Sequence, residues 1–328
     1  MSLPWRFATI FLLPALSLSC SAEPAPSTSA KASFDWSSVE AQAGQAGHVL
    51  KSIRSWHGEE ARDGGKKLRV VYFHPKDREP IKDHRKRWDG IMSDMRDFYR
   101  VEMKRLGYGK VDLGLEQENG MLKLHEVRGA GKDDGSYAYG SGGKIKGEVF
   151  KALKAKGINP QEETILIVCG LSRTEGRKVT IYSPYYGMGG NHNWGLCFTA
   201  DMEWLSIDGL RPDPSKTILQ VKEHRGYEPF TLARFNTTYV GGAIHELGHG
   251  MSLPHNHATK VEAKMGTALM GAGNYTYRKE WRNEGKGSFL THSSALRLLV
   301  HPLFSGTTKQ CKESPKPKYV KLNVSHAD

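Results

Sequence analysis

The sequence is poor in what would build several common classes of protein. Its 328 residues include four cysteines, Cys20, Cys169, Cys197 and Cys311. They are too few for a disulfide-stapled scaffold and too scattered for a cysteine-built zinc site. One bridge can form in an exported protein, and Cys169 to Cys197 is the first expectation. No apolar run beyond the N-terminus is long enough to span a bilayer, and no internal repeat recurs. Acidic residues are outnumbered, 35 against 47 Lys and Arg, for a net charge of +12. That balance favours anionic surroundings. No stripe of interleaved basic and aromatic residues accompanies it, so nucleic acid is not an expected partner. Hydrophobic residues at 38% and aromatics at 9% suffice for the core of one large domain.

The N-terminus reads as an export signal over residues 1–22. Arg6 supplies a basic start, Phe7 to Leu18 are mostly apolar, and Cys20, Ser21 and Ala22 follow. Two processing routes stand open. Cleavage after Ala22 releases a soluble protein. Alternatively Ser17-Leu18-Ser19-Cys20 resembles a bacterial lipobox, with Ser17 where leucine is usual, and lipidated Cys20 would anchor the chain to a membrane. Either route places the protein as secreted, periplasmic or envelope-attached. Residues 23–66 read as a Pro- and Ser-rich spacer and a helical lead-in, which packs rather than inhibits. The main domain is expected over 67–305, with a basic tail over 306–328.

Within that domain the periodicity predicts a strand at Leu68–Phe73 and an amphipathic helix from Asp83 to Leu106, ended by Gly107. Further strands are expected at Met121–Val127, Thr164–Cys169, Val179–Tyr182 and Leu196–Thr199, the last at a sheet edge. Helices are expected over 144–156 and Ser288–Val300, and residues 184–195 read as a glycine- and tyrosine-rich loop containing His192. The acidic spacing of Asp133 and Asp134 suits a solvated loop better than a calcium loop. His292 reads as structural.

The chemistry concentrates in His245-Glu246-Leu-Gly-His249-Gly-Met-Ser252-Leu-Pro-His255. Residues four apart on a helix share one face, so His245 and His249 can bind one metal. Glu246 is rotated off that face and is placed to act as a general base. His255 reaches the metal only if the chain leaves the helix and turns back. Gly250 is the expected stop, and Pro254 prevents continuation. Asn236 or Thr237 is the expected cap at the other end of this helix. The structural alternative is a buried helix with satisfied core histidines. Glu262 or Glu280 is a rival third ligand, and His192 a weak additional one.

This stretch resembles the long zinc motif of the metzincin metallopeptidases, His-Glu-x-x-His-x-x-Gly-x-x-His. His245, Glu246, His249 and His255 match it, and Ser252 stands where that family has glycine. Gly266-Thr-Ala-Leu-Met270-Gly-Ala-Gly is similar to its methionine turn. Where some members carry a tyrosine two residues on, this chain has Ala272, with Tyr275 and Tyr277 further along. The resemblance implies an α/β fold: a metzincin-like zinc peptidase domain with a twisted mixed sheet, a long helix, a zinc-binding helix, a Met-turn and a C-terminal helix. It implies one catalytic zinc ion on His245, His249 and His255, Glu246 as general base for a zinc-activated water, and Met270 as structural support. It also implies an edge strand that binds extended substrate, assigned to Gly195, Leu196 and Cys197. The expected substrate is a protein or peptide, with acidic or glycosylated ones left open. The competing expectation is an exported glycan- or envelope-binding protein with a non-catalytic zinc site.

Overall fold

A computed structural model describes residues 66–305, apart from 109–110, 112, 192–193 and 224–225. The export signal, the lead-in, His192 and the basic tail lie outside the described residues.

The elements run in order β1 (Arg69–His74), α1 (His84–Arg105), β2 (Gln117–Glu118), β3 (Met121–Leu122), β4 (Leu124–Arg128), α2 (Gly142–Ala155) and β5 (Thr164–Cys169). Then follow β6 (Ser172–Glu175), β7 (Lys178–Ile181), β8 (Tyr186–Asn191), β9 (Trp194–Ala200), β10 (Ile218–Glu223), β11 (Gly226–Thr231) and α3 (Leu232–Gly250). The last are β12 (Thr267–Ala268), β13 (Ser288–Phe289), α4 (His292–Val300) and the single turn α5 (Pro302–Ser305). The main sheet has the order β4-β1-β5-β9-β8. Its first four strands are parallel and β8 is antiparallel to β9. A second sheet, β11-β10-β7-β6, feeds directly into α3.

The main sheet is covered on both faces, which explains why β5 is buried at every position. Alternate residues divide between two cores. Val71, Phe73, Ile165 and Ile167 pack with Ile145, Val149 and Leu153 of α2. Val70, Tyr72, Leu166 and Val168 face the other way, among residues of α1 and α3. The apolar stripe of α1 is buried as its spacing predicts, from Trp88 to Met103. Asp83 does not cap it by side chain, because its backbone is left-handed at φ 55°.

Other boundaries moved for local reasons. Met121–Val127 divides into β3 and β4. Ser288 and Phe289 pair with β12, so α4 starts only after Thr291, whose hydroxyl accepts from Ser294 N. The expected Cys169–Cys197 bridge does not form, and both thiols are free and buried. Cys197 pairs in register with Leu166, three residues from Cys169, and the two side chains enter opposite cores. No disulfide spans a sheet in that way.

Three helices end on the same hydrogen-bond pattern. After α1, Gly107 N donates to Lys104 O and Tyr108 N to Met103 O. After α2, Gly157 N donates to Lys154 O and Ile158 N to Leu153 O. After α3, Ser252 N donates to His249 O and Leu253 N to Gly248 O. This is the Schellman arrangement, whose turning residue is left-handed. Gly107 has φ 83° and Gly157 φ 75°, and Ser252 has φ 63°.

Candidate metal centre and cleft

The site is built from the end of α3. That helix begins earlier than expected, capped by Thr231, whose hydroxyl accepts from Arg234 N. The two expected caps lie inside it. Asn236 accepts from Ser206 N and donates to Trp204 O, and the Thr237 hydroxyl donates to Tyr277 O. Both tie α3 to its neighbours.

α3 ends at Gly250, one residue past His249, as expected, and the left-handed residue that turns the chain is Ser252. Leu253 then enters the core and the segment returns His255 to the helix. Asn256 pins this return. Its N–H donates to Met270 O at 3.1 Å, and its side chain donates to Thr291 and Ser294, each at 2.8 Å. The His255 Nε2 lies 3.3 Å from His245 Nε2 and 3.0 Å from His249 Nε2. The three form a group that could hold a metal ion, and it is the only such group among the described residues.

The donor set fits a zinc-type ion. Tetrahedral bonds of about 2.0–2.1 Å place two ligating nitrogens about 3.3 Å apart. His245 Nδ1 donates to Leu269 O at 2.8 Å and His249 Nδ1 to Leu253 O at 2.9 Å. Committing Nδ1–H to a carbonyl leaves the Nε2 lone pair facing the centre. Burial also holds both imidazoles below their ordinary pKa, and the carbonyl hydrogen bonds oppose this only in part. The neutral form is the ligating form.

Glu246 lies beside this cluster, facing β8. Burial pushes its carboxyl up to about 7, and a hydrogen bond from Gly187 N–H pulls the other way. A carboxylate poised near neutrality can both take and return a proton.

Met270 is buried in the turn after β12, beneath the helix. A β-carbon on Gly248 would lie 2.4 Å from its sulfur. The carbonyl that holds His245 belongs to Leu269, its neighbour. Tyr277 is buried and donates to Asp94 at 2.6 Å, so its hydroxyl is committed elsewhere, while Tyr275 is 60% exposed. Glu262 accepts from Thr259 N, and Glu280 lies 3.8 Å from Arg278. Neither joins the histidines. Asp133 is engaged by Arg78, Arg173 and Tyr182, which suits a closed loop. His292 Nε2 shares a 2.9 Å hydrogen bond with the Tyr108 hydroxyl.

The expected edge strand needs correcting. Residues Gly195, Leu196 and Cys197 lie in β9, an inner strand whose edges are taken by β5 and β8. Leu196 and Cys197 are fully buried. The edge belongs to β8, in the stretch read from sequence as a glycine- and tyrosine-rich loop. Its glycines explain the misreading. A β-carbon on Gly187 would lie 2.0 Å from Glu246 O, and one on Gly189 would lie 2.6 Å from Ser252 Cα. Glycine here lets a strand lie directly on the end of α3, the close-approach role that an isolated strand glycine signals. Gly248 carries the corresponding signal on the helix, an interior glycine with no turn to serve.

Comparisons with known proteins find relatives among solved structures. No family model matches the chain, and no curated protein does. Among solved structures it is similar to wild-type OgpA from Akkermansia muciniphila, with 29% identity, a TM-score of 0.59, and coverage of 79% of this chain and 69% of OgpA. It is similar also to catalytically inactive OgpA in complex with an O-glycopeptide substrate, glycodrosocin, at 27% identity, TM-score 0.58, and coverage of 78% and 68%. The mixed α/β fold is thus shared with that protein.

Proposed function

We propose that the chain is a zinc-dependent endopeptidase that acts on O-glycosylated peptides or proteins. The observation that carries this reading is the convergence of three Nε2 atoms beside one half-buried carboxylate. The likeness to a protein crystallised with an O-glycopeptide substrate supports the substrate class.

Zinc on His245, His249 and His255 would supply a Lewis acid that polarises the scissile carbonyl and activates the attacking water. The remaining steps belong to the chain. Leu269 O and Leu253 O hold two imidazoles in the ligating tautomer. Glu246 takes the proton of the attacking water and returns it to the leaving amine. Gly187 N–H orients the carboxylate. The outer edge of β8 offers backbone groups to an extended peptide, so the bond to be cut lies over Glu246. Export through residues 1–22, with or without a lipid on Cys20, belongs to the same reading and would place the enzyme where glycosylated proteins are met.

The test is cleavage of glycodrosocin and its unglycosylated twin by the zinc-loaded protein, with and without chelator. Chelator-sensitive cleavage of the glycosylated form is expected. Absence of cleavage with retained binding would overturn the enzyme in favour of an exported glycan-binding protein.

A further inference from the structure

Ser252 is held in a conformation that serine adopts at a cost, and among the described residues nothing bonded to its side chain offsets it. Its φ of 63° lies in the region glycine enters freely. The side chain is exposed and adds nothing to either core. Among the described residues its hydroxyl makes no hydrogen bond, and only its backbone N–H is used, toward His249 O. Packing does not call for it either. Gly189 must be glycine because of the Cα at position 252, whatever the side chain there.

The hydroxyl is nevertheless placed with care. It sits three residues after one ligand and three before another, and it abuts Gly189 on the helix side of the edge strand. Gly187 stands over Glu246 and Gly189 over Ser252. The two positions are two strand residues apart, about 6–7 Å. A peptide lying along β8 with its scissile bond over Glu246 would therefore pass Ser252 about two residues away. Strain with no compensating side-chain partner among the described residues, at such a point, signals a functional demand.

From this we infer that Ser252 is a specificity-determining residue, whose hydroxyl hydrogen-bonds a polar group of the substrate about two residues from the cleaved bond. The inference rests on the peptidase reading above. The group it meets carries a hydroxyl or amide, on a side chain, on the peptide backbone or on an attached sugar. An apolar group would gain nothing from a solvated hydroxyl held at a cost.

The experiment is a set of double-mutant cycles on the zinc-loaded protein. Wild type, Ser252→Ala and Ser252→Gly are each assayed on glycodrosocin and on variants in which polar groups are removed one at a time. Both substitutions are expected to lower kcat/KM by about 3–10-fold on the intact substrate, the worth of one neutral hydrogen bond. That loss should vanish for the one substrate variant lacking the partner. Ser252→Gly should also raise Tm by about 2 °C, since glycine relieves the left-handed backbone. Separate additive losses at every substrate position would overturn the role of Ser252 while leaving the peptidase intact. An unchanged or lowered Tm in Ser252→Gly would remove the strain on which the inference is built. Wild-type protein that neither binds nor cleaves any glycopeptide overturns the peptidase reading, and this inference with it.

Discussion

The ends of α1 and α3 have the same hydrogen bonds and different residues. Gly107 closes α1 and Ser252 closes α3, both left-handed and both followed by a buried residue, Tyr108 or Leu253. The end of α1 only has to stop a helix, and glycine does so at the least cost. The end of α3 has to stop a helix, carry His249, aim the chain at His255 and lie against β8. One end is shaped for stability and the other accepts strain. Strain accumulates where several geometric demands meet, and the rest of the domain supplies the rigidity that maintains it.

The comparison breaks most visibly at the ligands. His249→Ala should lose stoichiometric metal and all activity, as read by metal analysis of the purified protein. Stoichiometric metal in that variant would refute the ligand set. Glu246→Gln should keep the metal and lower kcat by about 100–10,000-fold, the range for removing a general base. Equal activity in that variant would show that the carboxylate only packs. Neither change should move the α1 end. Next in size are the close approaches. Gly248→Ala drives a β-carbon against the Met270 sulfur and should cost about 1–3 kcal/mol, with weakened metal retention. Thermal unfolding with and without chelator measures both. Flexible methionine can shift, so an unchanged Tm and intact metal affinity would mean that Met270 does not support the site.

Much of this was legible in the sequence, for identifiable reasons. The stripe of α1 and the continuous apolar run of β5 are one-dimensional patterns, and each survives into the fold. His245, His249 and His255 are close in sequence, so their convergence follows from one helix and one turn. Ser252 stood out because a serine occupies a glycine position. What was missed depends on distant contacts. β8 reads as a loop, since Gly187, Gly189 and Gly190 lack side chains to show a period of two. The reason for Gly187 and Gly189 lies some sixty residues away, at the end of α3 and just past it. The edge role passed to β9 by default, because β9 has the apolar alternation. The N-cap fell on Asn236, a good capping type, because its true partner, Ser206 N, is remote. The Cys169–Cys197 bridge failed because strand register and side-chain facing cannot be read before the sheet is known.

The smallest effect tests the comparison most directly. Gly107→Ser places at the plain helix end the residue found at the end of α3, and Ser252→Gly does the reverse. Gly107→Ser should cost about 1 kcal/mol and lower Tm by about 2–4 °C, leaving kcat/KM unchanged. Ser252→Gly should gain a similar amount of stability. The two ends belong to different helices, so their stabilities should add and the double swap should restore the wild-type Tm. Activity should not be restored. If strain at the end of α3 were only an accident of drift, the double swap would match wild type in both Tm and kcat/KM. Restored stability with a persistent loss of kcat/KM would separate the hydroxyl's function from its cost, which no single substitution at either end can do.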